Sequence, residues 1–405
     1  MKSMFLIPLF LFLLFTAGCS SSPGTTPSGL AYVASYEKGT LYRTTNNSPH
    51  KVILVKGSWR EMGRQYGHLL GSDLREFYKL AVTDTLIADG ETYEHLLQVA
   101  TTFFNTYPQK HKDFILGMAD TSGLSVDQQI ILNIVDPYLE IFGQDVKARL
   151  TACSGIGAWG DYTADKRLVF GRNYDYPETY KRYGKYLTVT ILDADGEKNK
   201  TAAIHWAGTA LTQNGMNDKG IFLELNTDMF TYAPASRDRT PVVSLLLSFL
   251  QNSSTMEEID AAFNSNRSDF GCLIQVADKN AAYSYEWPPF GVRRRSETDY
   301  QGLLVAVNNF IRPLPAAWTP DIYPLPDGAV DPRRTNLLAL GNQYKGTINV
   351  PVMKSILDVS YEAGGAKVAG TVYQLIAVPE TRRLWMRGIG YSDWVEIDLT
   401  ALFAL

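Results

Sequence analysis

The hydrophobic positions along the chain change rhythm near residue 150. From about 56 to 145 they recur at helical spacing. From Cys153 onward they come in short runs and alternations broken by Gly, Asn, Asp and Pro, as strands and turns do. Helix starts are marked in the first part: Ser58-Trp-Arg-Glu61 is a capping box opening Met62 to Leu70, and Ser125-Val-Asp-Gln128 leads into Ile130 to Val135. A further helix is expected from Thr92 to Thr106. In the second part Arg167 to Phe170 reads as a short strand. Tyr186–Leu192 with Thr201–Trp206, Cys272–Ala277 with Ala281–Trp287, and Thr371–Val378 with Arg383–Met386 read as three hairpins. Asn217-Asp-Lys-Gly220 turns into the strand Ile221–Leu225, and Leu303–Val307 is another. Helical patterns cover Val242–Leu250 and the stretch opened by Thr255-Met-Glu-Glu258. The pattern predicts an α+β chain with largely antiparallel strands.

Composition narrows this little. The 405 residues are 45% hydrophobic and 20% charged, room for one large domain or two smaller ones. A net charge of -4 gives no electrostatic case for nucleic-acid binding. There is no P-loop, dinucleotide fingerprint or zinc-like cysteine pattern, and no metal or organic cofactor is implied.

The N-terminus adds more. Lys2 precedes an apolar run, Met4 to Phe15, broken only by Pro8; it is too short to span a bilayer but fits a signal h-region. It ends Thr16-Ala-Gly-Cys19, which is similar to a bacterial lipobox with Thr16 in the place of the usual leucine. That similarity implies a signal peptide over 1–18, lipidation at Cys19, a Ser/Thr/Pro-rich tether over 19–30, and an exported protein anchored to a cell-envelope membrane. A plain secretory signal cut after Ala17 or Gly18 is the alternative. The other cysteines are Cys153 and Cys272, too few for a disulfide framework; a bridge between them stays open and would exclude Cys153 from catalysis.

Cys153 carries the candidate chemistry. It opens Cys153-Ser-Gly-Ile-Gly-Ala-Trp-Gly-Asp161, and the cluster Arg172, Asn173 and Asp175 follows. A cut before Cys153 places a thiol nucleophile and an α-amino base on one residue. An α-amine has a pKa of about 7.7–8.0 and can take the thiol proton without a histidine.

In order, these segments resemble the cysteine N-terminal-nucleophile hydrolases, which include penicillin acyltransferase-like peptidases, choloylglycine hydrolases and acid ceramidase. Gly57 to Gly67 is similar to the opening motif of the acyltransferase branch, and Cys153-Ser154 with Gly171-Arg-Asn-Tyr-Asp175 to the nucleophile segment. Gly215 to Gly220 with Leu225-Asn226, then Val307-Asn-Asn-Phe310, then Asp331-Pro-Arg-Arg334 are similar to the later blocks. The resemblance implies a four-layer αββα sandwich and autocatalytic cleavage between Ala152 and Cys153. A mainly helical segment, 31–152, would be retained as a subunit on the catalytic part, 153–405. It also implies roles: Cys153 as nucleophile, Arg172 favouring the thiolate, and Asp175 orienting the α-amine. Asn308 is the implied oxyanion donor with Asn309 as its rival, Asn226 a second donor, and Arg334 the last site arginine, with Arg333 fitting almost as well.

The implied activity is hydrolysis of a linear carbon–nitrogen (amide) bond in a small acyl-amide substrate, through an acyl-enzyme on Cys153. Acyl transfer to an amine and a non-catalytic surface lipoprotein that binds an acylated ligand are the alternatives. A papain-like pair would need His205, the one histidine after Cys153. Its apolar strand, Ala203 to Ala207, reads instead as the setting of a core or pocket residue.

Overall fold

The computed structural model describes residues 26–142, 153–209, 212–228, 231, 238–295, 301–321 and 331–405. The expected signal segment, Cys19, most of the tether and Ala152 lie outside the described residues.

The stretch expected to be mainly helical opens with three strands: β1 (Leu30–Tyr36), β2 (Gly39–Thr44) and β3 (Lys51–Gly57). Val52, Ile53, Leu54 and Val55 are all buried, so β3 has no polar face and no alternation to betray it. The helices α1 (Trp59–Leu69), α2 (Gly71–Tyr78), α3 (Tyr93–Thr106), α4 (Gln109–Ser122) and α5 (Val126–Phe142) follow. Three of their starts are those read from the sequence: Ser58 and Glu61 form the reciprocal capping box, Thr92 caps α3, and Ser125 and Gln128 exchange hydrogen bonds ahead of α5.

From Cys153 the chain runs through β4 (Ser154–Ala158), β5 (Val169–Asp175), β6 (Leu187–Ala194), β7 (Thr201–Trp206), β8 (Asn214–Asn217) and β9 (Phe222–Thr227). The helices α6 (Val242–Asn252) and α7 (Met256–Ser265) precede β10 (Cys272–Ala277), β11 (Ala282–Trp287), β12 (Arg293–Arg295) and β13 (Leu303–Ala306). The chain closes with α8 (Pro332–Gln343), α9 (Val350–Asp358), β14 (Thr371–Val378), β15 (Arg383–Gly388), β16 (Val395–Asp398) and α10 (Leu399–Ala404).

Among the described residues the strands form two sheets. The larger runs β1-β2-β3-β6-β7-β8-β9-β10-β11-β12 and the smaller β13-β4-β5-β14-β15-β16. Neighbours are antiparallel except β3 and β6, which are parallel. The two sheets pack face to face: Phe170 of β5 lies 5.4 Å from Phe222 of β9, and Asn214 of β8 donates to the hydroxyl of Tyr373 on β14 at 2.7 Å. Outside the larger sheet, α1 covers β2 and β3, and α6 covers β7 and β8. Outside the smaller one, α8 lies on β13 and β4, and α9 on β5 and β14. The second core, with Ile156, Val169, Leu337, Met353, Ile356 and Ile376, fills that outer interface. This is a helix–sheet–sheet–helix arrangement of the α+β class, with β4 and β5 inside the smaller sheet. Among the described residues no helix is long and apolar enough to cross a membrane.

The glycines of the opening motif have a packing reason. A methyl group on Gly63 would run into the Phe114 carbonyl, on Gly67 into the Met118 carbonyl, and on Gly117 into the Arg60 carbonyl. The helices α1 and α4 therefore touch backbone to backbone, and a side chain there must push them apart. Gly63→Ala is expected to destabilise the fold by about 1–3 kcal/mol, the usual cost of overpacking. Urea unfolding followed by circular dichroism checks this, and an unchanged midpoint would remove the close crossing.

Candidate functional site

Cys153 stands immediately before β4, one step beyond the last rung of the β4–β5 ladder, Ser154 with Asn173. Strand alternation gives Cys153, Gly155 and Gly157 one face, and Phe170, Arg172 and Tyr174 of β5 the same one, toward the larger sheet. Gly155 lacks a side chain because a Cβ there would collide with the Glu224 carboxylate. The cluster Arg172, Asn173 and Asp175 lies within β5, and all three residues are buried.

Arg172 is wholly enclosed. Its Nη2 donates to Cys153 Sγ at 3.2 Å and to the Leu225 carbonyl at 2.6 Å, and its Nη1 is ion-paired to Glu224. Burial works against its charge, but Glu224 and the thiol hold the guanidinium pKa above its ordinary value, so it stays cationic. Burial pushes Glu224 up to about 7 while Arg172 pulls it down. Burial likewise pushes the Cys153 thiol up to about 12; the Arg172 charge opposes that rise and Asp175 adds to it. In the uncut chain the thiol is therefore protonated at neutral pH.

Asp175 points to the other side of β5. Its Oδ1 accepts from Thr371 Oγ1 at 2.6 Å, and its Oδ2 lies 3.6 Å from Arg333 Nη1. Its backbone N–H meets the Cys153 sulfur. Burial pushes the Asp175 carboxyl up to about 7, outweighing the pull of Arg333.

Arg333 also donates from Nη2 to Asn308 Oδ1 at 2.9 Å and pairs with Asp331 at 2.6 Å. Of the two adjacent arginines, Arg333 is thus the one that bridges Asp175 and Asn308, where the sequence favoured Arg334. Arg334 is half-buried at the start of α8, its backbone N–H bonded to the Asp331 carbonyl. Asn308 donates one amide hydrogen to the Thr227 carbonyl at 2.7 Å, while Asn309 turns its amide to the Phe310 carbonyl. Asn226 is fully buried on β9. Its side-chain amide lies beside the Ala306 carbonyl, Glu224 and the Leu225 carbonyl, next to the acceptors of Arg172.

His205 is 3.0 Å from Asp136 and stacks on Trp206 at 4.6 Å, so its ring is buried and held by those two residues. Cys153 and Cys272 are both free and buried, so no bridge joins them. Sequence reading missed Glu224 and Thr371. A lone carboxylate in the apolar run Ile221 to Leu225 was the available signal, because such a group must find a cation. Nothing marked Thr371.

No protein-family model and no curated protein matches the chain. Among solved structures it is similar to a Caenorhabditis elegans ortholog of N-acylethanolamine-hydrolyzing acid amidase, at 19% identity and TM-score 0.41, over 56% of this chain and 93% of that one. It is similar to a variant of conjugated bile acid hydrolase from Clostridium perfringens, at 16% identity and TM-score 0.45, over 62% and 93%. Penicillin V acylase from Agrobacterium tumefaciens is similar at 15% identity and TM-score 0.42, over 61% and 86%. At such identities the chemistry of this chain has to be read from its own residues.

The raised Asp175 carboxyl has a sign that can be checked. The folded state holds its proton more tightly than the unfolded chain does, where the pKa is about 3.9. Its contribution to stability is complete below that value and is lost as pH rises through about 7. In an uncut Cys153→Ala background, the stability of the Asp175 protein minus that of its Asp175→Asn variant is expected to fall between pH 4 and 7, by roughly 2–4 kcal/mol. Denaturant titrations at several pH values test this; a flat difference means that Arg333 keeps Asp175 ionised throughout.

Proposed function

We propose that the chain is a self-processing amidohydrolase that cleaves linear amides through an acyl-enzyme on Cys153. The observation that carries this reading is the charged Arg172 guanidinium 3.2 Å from the Cys153 sulfur, with Asp175, Asn308 and Arg333 gathered beside it.

In the uncut chain the protonated thiol is a weak nucleophile, which fits a slow, single event. Sulfur attack on the Ala152 carbonyl forms a C–S bond and breaks the C–N bond; the departing nitrogen takes a proton and becomes the α-amine of Cys153. Water then hydrolyses the thioester, returning the thiol and leaving residue 152 with a carboxylate. In the cut protein the α-amine takes the thiol proton, and Arg172 favours the thiolate that forms. Attack on a substrate amide gives a tetrahedral intermediate. Asn308 has spent one amide hydrogen on Thr227 and holds the other for the new oxyanion. The α-ammonium protonates the leaving amine, and water assisted by the α-amine resolves the acyl-enzyme. Asp175 steadies the ammonium, and Arg333 ties Asp175 to Asn308, so base and oxyanion donor keep one geometry. An amine in place of that water makes the same site an acyltransferase. Lipid anchorage at Cys19 would put the reaction at a membrane of the cell envelope.

Intact mass of the wild type beside Cys153→Ala is the first test. The wild type is expected as two fragments, the larger beginning at Cys153, and the variant as one chain; a folded wild type that stays whole lacks the α-amino base and defeats the reading. On whichever N-acyl amide the cut protein hydrolyses, Asn308→Ala is expected to lower kcat about 100- to 1,000-fold. Unchanged kcat would take the oxyanion role away from Asn308. Cys19→Ser is expected to move the protein from the membrane fraction to the soluble one, and a wild type already in the soluble fraction has no anchor.

A further inference from the structure

Asp136 is a buried carboxylate that the chemistry above does not use. It sits on α5, ahead of the proposed cut, and is 1% exposed. Among the described residues its donors Tyr174, His205 and Gln213 all belong to the part of the chain after Cys153. Tyr174 gives its hydroxyl hydrogen to Oδ1 at 2.6 Å, while His205 Nε2 at 3.0 Å and Gln213 Nε2 meet Oδ2. Tyr174 lies on β5 between Arg172 and Asp175. The guanidinium of Arg172, the donor to the thiol, rests over the Tyr174 ring at 5.1 Å, and that ring stacks on Tyr373 at 4.3 Å and on Tyr176 at 5.3 Å.

A phenol clamped at its oxygen and stacked on neighbouring rings has a fixed plane, and the guanidinium of Arg172 rests over it. Asp136 bonds Tyr174 and not the thiol itself. Its carboxylate reaches the thiol through a phenol and a guanidinium, across the point where the chain is proposed to be cut. From this geometry we infer that Asp136 is a positioning residue for the Cys153 site. It fixes Tyr174, and through the Tyr174 ring it fixes the guanidinium against the sulfur. The inference rests on the reading of Cys153 as the nucleophile. It makes the segment before the cut a working component of the site.

Electrostatics and positioning predict opposite signs here. Removing a negative charge near a thiol eases thiolate formation and speeds its reactions. Loosening the cation that supports the thiolate slows them. The experiment compares full-length wild type, Asp136→Asn, Tyr174→Phe and the double variant, each checked for folding by circular dichroism. The rate of Cys153 alkylation by iodoacetamide at pH 8 is read by peptide mass. Each single change is expected to slow alkylation roughly tenfold, and the double variant is expected to be no slower than the slower single, since the two residues act as one path. Should Asp136→Asn not fold, Tyr174→Phe carries the test alone, because it deletes the bond to Asp136 and keeps the ring. Alkylation at the wild-type rate or faster, or effects that multiply, would overturn the inference. Self-cleavage in the same samples is read separately: a wild type alkylated at Cys153 but never cut defeats the processing reading, while the rates still decide the role of Asp136.

Discussion

A guanidinium sealed between two sheets must find its counter-charge inside the protein, and the site is built around that requirement for Arg172. Burying an ion costs several kcal/mol that only close partners return. Glu224 supplies the charge, the Leu225 carbonyl takes a hydrogen bond, and Gly155 gives up its side chain to make room. The sulfur of Cys153 takes a further hydrogen bond from Nη2. A residue that chemistry needs near a thiol is thus also one that the packing of β5 on β9 cannot do without.

The two faces of β5 divide the work. Arg172 and Tyr174 look toward the larger sheet, into a buried interior where Glu224 meets the one and Asp136 the other. Asp175 looks toward α8, where Arg333 crosses from Asp331 to Asn308. A single strand therefore holds the guanidinium bonded to the sulfur on one side and the carboxyl proposed to meet the amine on the other, and strand alternation sets their separation without any loop.

Legibility in the sequence followed locality. Caps and hairpins were readable because Ser58, Thr92 and the turns at Asp193–Gly196 and Asp278–Asn280 act on residues a few positions away. β3 was not, because Val52 to Val55 form a uniform apolar run, and one of its two partners, β6, is supplied by a distant stretch. Cys153, Arg172, Asp175 and Asn308 were named from motifs and are brought together. The choice between Arg333 and Arg334 depended on how α8 docks, since one step along a helix turns a side chain by about 100°. Glu224 was hidden as one acid in an apolar strand, and Asp136 in the same way within α5.

The parallel pairing of β3 with β6 has a consequence for the history of the molecule. Strands β1 to β3 belong to the chain before Cys153, and β6 to the chain after it, yet they share one hydrogen-bonded sheet. That seam closes while the polypeptide is whole, at the high effective concentration that a covalent link provides. Severing the link, as proposed, would leave the strand pairing in place but change the order of the reaction that made it: what assembled as one molecule could reassemble only as two. The uncut chain is in this sense its own assembly template, and the cut protein would keep by kinetic persistence a fold that it could no longer readily regain.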